Sequence, residues 1–222
     1  MNLKDNKYAQ YYLVQEMMDT VNAIKKFNPE VAAPVAEAAA QTGHLLLSGE
    51  GSSRIMPAKN AIRKAMRWGV KEFIHTDGAH QSCEYKLDDY AVVLASNSGR
   101  TKETLMLANA LKAAGNARRF GVTANPDTPL EAACTSTYVL KCGWENAVAA
   151  TKSVVEQVLF NEAVVWKLAG RSMPLEGLAE KVETALTLPV PAEVVEWAVG
   201  AKTIYFAGMN DGVAEELTLK TN

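Results

Sequence analysis

Five short apolar runs, spaced along the chain with helical patterns or turn-rich stretches between them, limit the possible folds more than any other feature. They are His44–Ser48, Glu72–Thr76, Asp89–Ala95, Arg119–Thr123 and Thr137–Lys141. A short apolar run bounded by glycine and polar turn residues marks a strand buried on both faces. Between the runs the period changes to that of a helix. Ile55, Ala58, Ile62, Ala65 and Met66 share one helical face, and Thr104, Leu107, Ala108, Leu111 and Ala114 share another that Gly115 closes. A long helix from about 146 to 168 is predicted to turn Thr151, Val154, Val155 and Val158 inward. Strands alternating with helices at this pace predict an α/β fold with a parallel sheet covered on both faces. Five strands suit a three-layer, doubly wound, flavodoxin-like sheet, whose ligands bind outside the carboxyl ends of the strands at a switch point.

On either side of this unit the pattern differs. Residues 8 to 27 read as a helix, with Tyr12, Glu16 or Met17, Val21 and Ile24 at helical intervals and Asn28-Pro29 as the stop. An alanine-rich helix is expected over 30 to 41, ending at Thr42-Gly43. The pair carries no chemical motif and reads as a packing or dimerisation hairpin. Beyond Gly170, Pro174, Pro189 and Pro191 punctuate two helical segments, roughly 175 to 187 and 192 to 199. The stretch Lys202–Gly212 then repeats the grammar of residues 44 to 54: apolar strand, glycine turn, helix start. The expected division is a helical segment (1–42), a first α/β domain (43–170), a helical linker (171–200) and the truncated beginning of a second, similar domain (201–222).

Composition excludes some functions. With 222 residues, 48% of them apolar and a net charge of −2, nothing suggests nucleic acid or an acidic membrane as a partner. The amino terminus is polar, and no apolar run approaches the roughly 20 residues that span a bilayer. A cytoplasmic location is therefore expected. The three cysteines, Cys83, Cys134 and Cys142, lack metal-type spacing and read as inert thiols in a reducing compartment. Neither a metal nor a cofactor is expected.

The chemistry concentrates in two turns. Tyr90 to Leu94 leads into Ala95-Ser96-Asn97-Ser98-Gly99-Arg100-Thr101, and a helical pattern leaves it. One unit upstream, Gly49-Glu50-Gly51-Ser52-Ser53-Arg54 follows a strand in the same way. A strand-to-helix turn offers free N–H groups and the positive end of a helix dipole, and a phosphate fits there. A cap needs one hydroxyl; the first of these turns supplies three. The two glycines at 49 and 51 lack the third of a dinucleotide fingerprint, with Arg54 in its place and Asp77 a poor ribose-binding acid. No Gly-x-Ser-x-Gly elbow is present, and His44, His75 and His80 do not follow a serine–acid order.

With Glu145-Asn146-Ala147-Val148-Ala149-Ala150-Thr151-Lys152 as a third loop, these turns resemble the three ligand loops of sugar isomerase (SIS) domains. The likeness is to the isomerase half of glucosamine-6-phosphate synthase and to related two-domain phosphosugar isomerases, deaminases and deglycases. It covers roughly residues 40 to 222. The resemblance implies a phosphorylated sugar or amino sugar as ligand and a homo-oligomer, a dimer, as assembly. It implies Ser52, Ser53, Ser96, Asn97, Ser98 and Thr101 as ligand contacts, with Val148 lining the sugar through its backbone. The family often has glutamine at Asn97, glutamate at Arg100 and serine at Ala150.

The implied chemistry is aldose–ketose isomerisation, or its deaminating or deglycating variants, on a hexose 6-phosphate derivative, with a carboxylate moving a proton between C1 and C2. Glu216 and Lys220 fall on helix positions that approach the sugar in that family. The base itself is expected one residue past Asn222, on the same helical face. A non-catalytic phosphosugar sensor is the alternative.

Overall fold

The structure, a computed structural model, describes residues 1–221. Its centre is a five-stranded, all-parallel sheet in the order β2-β1-β3-β4-β5. The strands are β1 (His44–Gly49), β2 (Phe73–Gly78), β3 (Ala91–Ala95), β4 (Arg119–Thr123) and β5 (Ser136–Val139). The three-layer, flavodoxin-like arrangement expected from the apolar runs is the one observed. Period-two alternation divides the core. Leu45, Leu47, Val93 and Ala95 face one apolar cluster, while Leu46, Val92 and Leu94 face the other.

The first face is covered by α3 (Ala33–Thr42), α4 (Ile55–Trp68) and α8 (Lys152–Leu168), with α2 (Tyr12–Lys26) packed outside on α8. The second face is covered by α6 (Lys102–Ala113) and the one-turn helices α5 (Ala79–Ser82) and α7 (Pro129–Ala133). A short α1 (Asn6–Ala9) precedes α2, and α9 (Leu178–Thr187), α10 (Ala192–Gly200) and α11 (Val213–Thr221) complete the chain.

Several expectations need correction. The single helix over 8 to 27 is two, because Asp5 caps α1 by accepting from the Lys7 N–H and the chain turns extended at Tyr11. Tyr12 is consequently exposed, while Glu16, Val21 and Ile24 are buried. Met66 likewise points outward, one residue off the buried face marked by Ala58 and Ala65. The helix expected from 30 opens as a 3-10 turn, Pro29–Ala32, before α3 begins.

The helix expected from 146 starts at Lys152 instead. The N–H groups of Asn146, Ala147 and Thr151 are held by the carboxylates of Glu16 and Glu145, so this backbone bonds to side chains and not to a helical turn. Residues 202–208 form no strand, since no strand of the sheet runs beside them to complete a ladder. No helix of the described residues is long and apolar enough to cross a membrane.

Candidate functional site

The strand order reverses between β1 and β3. β1 connects outward to β2, and the chain returns to the opposite side of β1 to lay down β3, β4 and β5. The carboxyl ends of β1 and β3 therefore open a crevice at a switch point. Gly49 and Ala95 face each other there in register. The approach is so close that a Cβ on Gly49 would lie 2.6 Å from the Ala95 carbonyl oxygen. Both serine turns leave the sheet at this pair.

The second turn is built partly from its own hydroxyls. Ser96 is buried, and its Oγ shares a hydrogen bond with Thr101 Oγ1 at 2.7 Å and accepts from the Thr101 N–H at 3.4 Å. Ser98 is exposed and accepts from the Arg100 N–H at 3.2 Å. Thr101 occupies the N-cap position of α6, yet its side chain accepts nothing from the helix. The hydroxyls thus shape the loop without capping the helix, and the positive end of α6 stays available to an anion. The N-termini of α4 and α8 also lack a side-chain cap from the flanking residue, Arg54 and Thr151.

Asn97 is anchored through its backbone carbonyl, which accepts from Ala124 N–H, Thr123 Oγ1 and Asn125 Nδ2. Its Nδ2 reaches Glu145 at 3.5 Å, and its buried Oδ1 has no partner among the described residues. Glu145 opens the third loop, and no local sequence pattern marks its role. Its carboxylate accepts from Thr151 N–H at 2.7 Å, from Thr151 Oγ1 at 3.0 Å and from Ser153 Oγ. One carboxylate thereby joins the third loop to the serine loop. Val148 stands at the tip of that loop, fully exposed.

The first turn meets the end of the chain. Lys220 Nζ donates to Ser52 Oγ at 2.9 Å and lies 2.8 Å from Glu216 Oε1. Glu216 is buried, and neither of its oxygens receives a well-directed hydrogen bond among the described residues. A charge left so sparsely paired in a buried position is costly, which is common where a group is reserved for a ligand. α11 is held here by Lys59, whose ammonium pairs with Glu215 and reaches Asn210 Oδ1. The hydrogen bond from Lys59 holds the Glu215 carboxyl below its ordinary range.

Ser52, Lys220 and Glu216 thus form one cluster, and Ser96, Asn97, Thr101, Glu145 and Thr151 a second. Ser53 is half-buried and donates its N–H to Glu50. His44 and His75 belong elsewhere, both against the ring of Tyr90. His75 packs against the rings of Phe73 and Tyr90, and burial lowers its pKa although Asp77 opposes the shift. Among the described residues no three His, Cys, Asp or Glu side chains group to hold a metal.

A family model described as SIS domain matches residues 39–167, more than half of the chain. No curated protein sequence matches. Among solved structures, glucosamine-6-phosphate deaminase from Thermotoga maritima superposes with a TM-score of 0.66 at 24% identity, covering 95% of this chain and 66% of that one. The C-terminal domain of glucosamine-fructose-6-phosphate aminotransferase from Francisella tularensis gives 0.60 at 17%, covering 83% and 56%. The Vibrio vulnificus NanR protein complexed with ManNAc-6P gives 0.56 at 17%, covering 84% and 68%. At these identities the likeness shows the fold, and the chain spans between 56% and 68% of those three proteins.

Proposed function

The chain belongs to the SIS domain family, and on that premise we propose that it binds a phosphorylated hexose or amino sugar in the crevice between β1 and β3. The observation that carries this is the convergence of both serine turns, each opening a helix, on the Gly49–Ala95 pair. The phosphate sits on Ser98, Thr101 and the first-turn N–H groups of α6, where the dipole favours a dianion. Ser96 and Asn97 hold that loop in shape. Ser52 and Ser53 take sugar hydroxyls on one side, and the backbone around Val148 approaches from the other.

The chemistry that suits such a site is proton transfer between C1 and C2 of an aldose or ketose phosphate, the step common to isomerases, deaminases and deglycases of the class. In this reading Glu216 and Lys220 are the groups of this chain that act next to that carbon. Glu216 is a buried carboxylate paired with Lys220, which bridges it to the Ser52 hydroxyl. The structures of glucosamine-6-phosphate deaminase and of NanR with ManNAc-6P support a phosphosugar as the ligand class. A dimer, and a second α/β unit opening at about residue 201, belong to the same proposal.

Two measurements test it. Hexose 6-phosphates should raise the melting temperature while the free hexoses leave it in place; equal effects would refute phosphate binding. Solvent deuterium appearing at C2 of the bound sugar marks catalysis. Binding without exchange makes the chain a sensor of the same ligand.

A further inference from the structure

We infer that helix α2 is part of the sugar site, with Glu16 and Asp19 acting as positioning residues for the third ligand loop. The inference rests on the phosphosugar reading above and adds to it a part of the chain in which the sequence shows no chemistry. Glu16 and Asp19 stand three residues apart, on one face of α2, and that face is turned toward residues 144–152. Glu16 is buried, and its carboxylate accepts from the backbone N–H groups of Asn146 and Ala147. These are the two residues immediately before Val148. Asp19 pairs at 2.9 Å with Lys152, which is itself buried and opens α8. The two carboxylates therefore grip the loop on both sides of its tip.

Among the described residues, these are the hydrogen bonds that join α2 to the loop. A cavity of about 790 Å³ lies between α2 and the loop, bordered by Tyr12, Glu16, Asp19, Trp144, Asn146 and Lys152. Where packed side chains would otherwise set the distance between two elements, polar ties across an open cleft set it here. Charge-assisted bonds to backbone N–H groups are directional and strong enough to hold a loop in one conformation. From the inside the loop is held by Glu145, which reaches Thr151, Ser153 and Asn97. Glu145 ties the loop to the phosphate-side turn, and Glu16 sets how far its tip leans over the sugar.

The division of roles is testable because the two ends of the ligand use different loops. Glu16→Gln keeps the shape of the side chain but removes its charge and one of its acceptor oxygens. In the full chain, calorimetric titration with fructose 6-phosphate should show affinity weakened about tenfold as preorganisation is lost, while the affinity for inorganic phosphate stays at the wild-type value. Amide hydrogen exchange of the unliganded protein should accelerate within residues 144–151 and nowhere else.

Unchanged exchange in that segment, or unchanged affinity for fructose 6-phosphate, overturns the inference. Equal weakening of both ligands also overturns it, since that is what a general loss of structure produces. If the wild-type chain binds neither probe, the phosphosugar reading fails, and the exchange measurement alone then decides the clamp. Should Glu16→Gln not fold, Asp19→Asn releases the other grip at a half-exposed position and must produce the same pattern for the inference to stand.

Discussion

Ser96 and Ser98 stand two residues apart in one loop, yet their environments assign them different work. Ser96 is buried and spends its hydroxyl on Thr101, whereas Ser98 faces solvent. Ser96→Ala leaves the half-buried Thr101 hydroxyl short of a partner and should cost about 1–3 kcal/mol, read by urea unfolding. Ser98→Ala should stay within about 0.5 kcal/mol of wild type while weakening phosphosugar binding. The double variant should lose the ligand-induced rise in melting temperature altogether; a rise that survives places the phosphate elsewhere. At Gly49 the neighbouring strand leaves no room for a side chain. Gly49→Ala should therefore destabilise by about 1–3 kcal/mol through overpacking, again measured by urea unfolding. Two of the cysteines sit in surroundings that disfavour the thiolate. Burial pushes the Cys134 thiol up to about 12 and raises that of Cys142 as well, with the Glu156 carboxylate adding to the latter. A thiol-specific reagent at pH 8 should modify neither at an appreciable rate until denaturant is added.

Among the elements, α2 and α11 carry the ties that depend on pH. Burial works to raise the Asp19 pKa, but hydrogen bonds from Asn22 and Lys152 outweigh it and the value ends below 3.8. A carboxyl whose folded pKa is depressed contributes stability above its unfolded value, and that stability disappears as pH falls through the folded one. Asp19→Asn should therefore lower the melting temperature at pH 7 and make progressively less difference as pH drops below about 4. The Lys59–Glu215 pair that holds α11 follows the same sign. A variant whose deficit is constant with pH would show that the Asp19–Lys152 pair contributes through packing alone. The elements also show why boundaries were harder to read than existence. The runs in β1 to β5 are bounded by turn residues that local sequence displays. The false start of α8 at 146 depends on Glu16, which is 130 residues away, and no local pattern reports such a partner.

For the whole molecule the expected ligand effect is large enough to measure. A phosphosugar at a hundred times its Kd adds about 2.7 kcal/mol to stability, which corresponds to a rise of about 5–10 °C for a chain of this size. The same sugar without its phosphate should give a rise near zero. Local sequence alone determined the sheet, its parallel sense and the two serine turns at strand ends, because the apolar period and turn chemistry act over a few residues. It also carried the family, since two serine-rich strand-end turns and the stretch 145–152 follow one another in the order that SIS domains show. Only the tertiary structure decided that Ser96 is buried while Ser98 is free, that Lys220 reaches Ser52, and that Glu16 and Asp19 hold the third loop. Those outcomes rest on contacts between residues far apart in the chain. They are set by how finished elements pack, and packing distance leaves no periodic trace in the sequence.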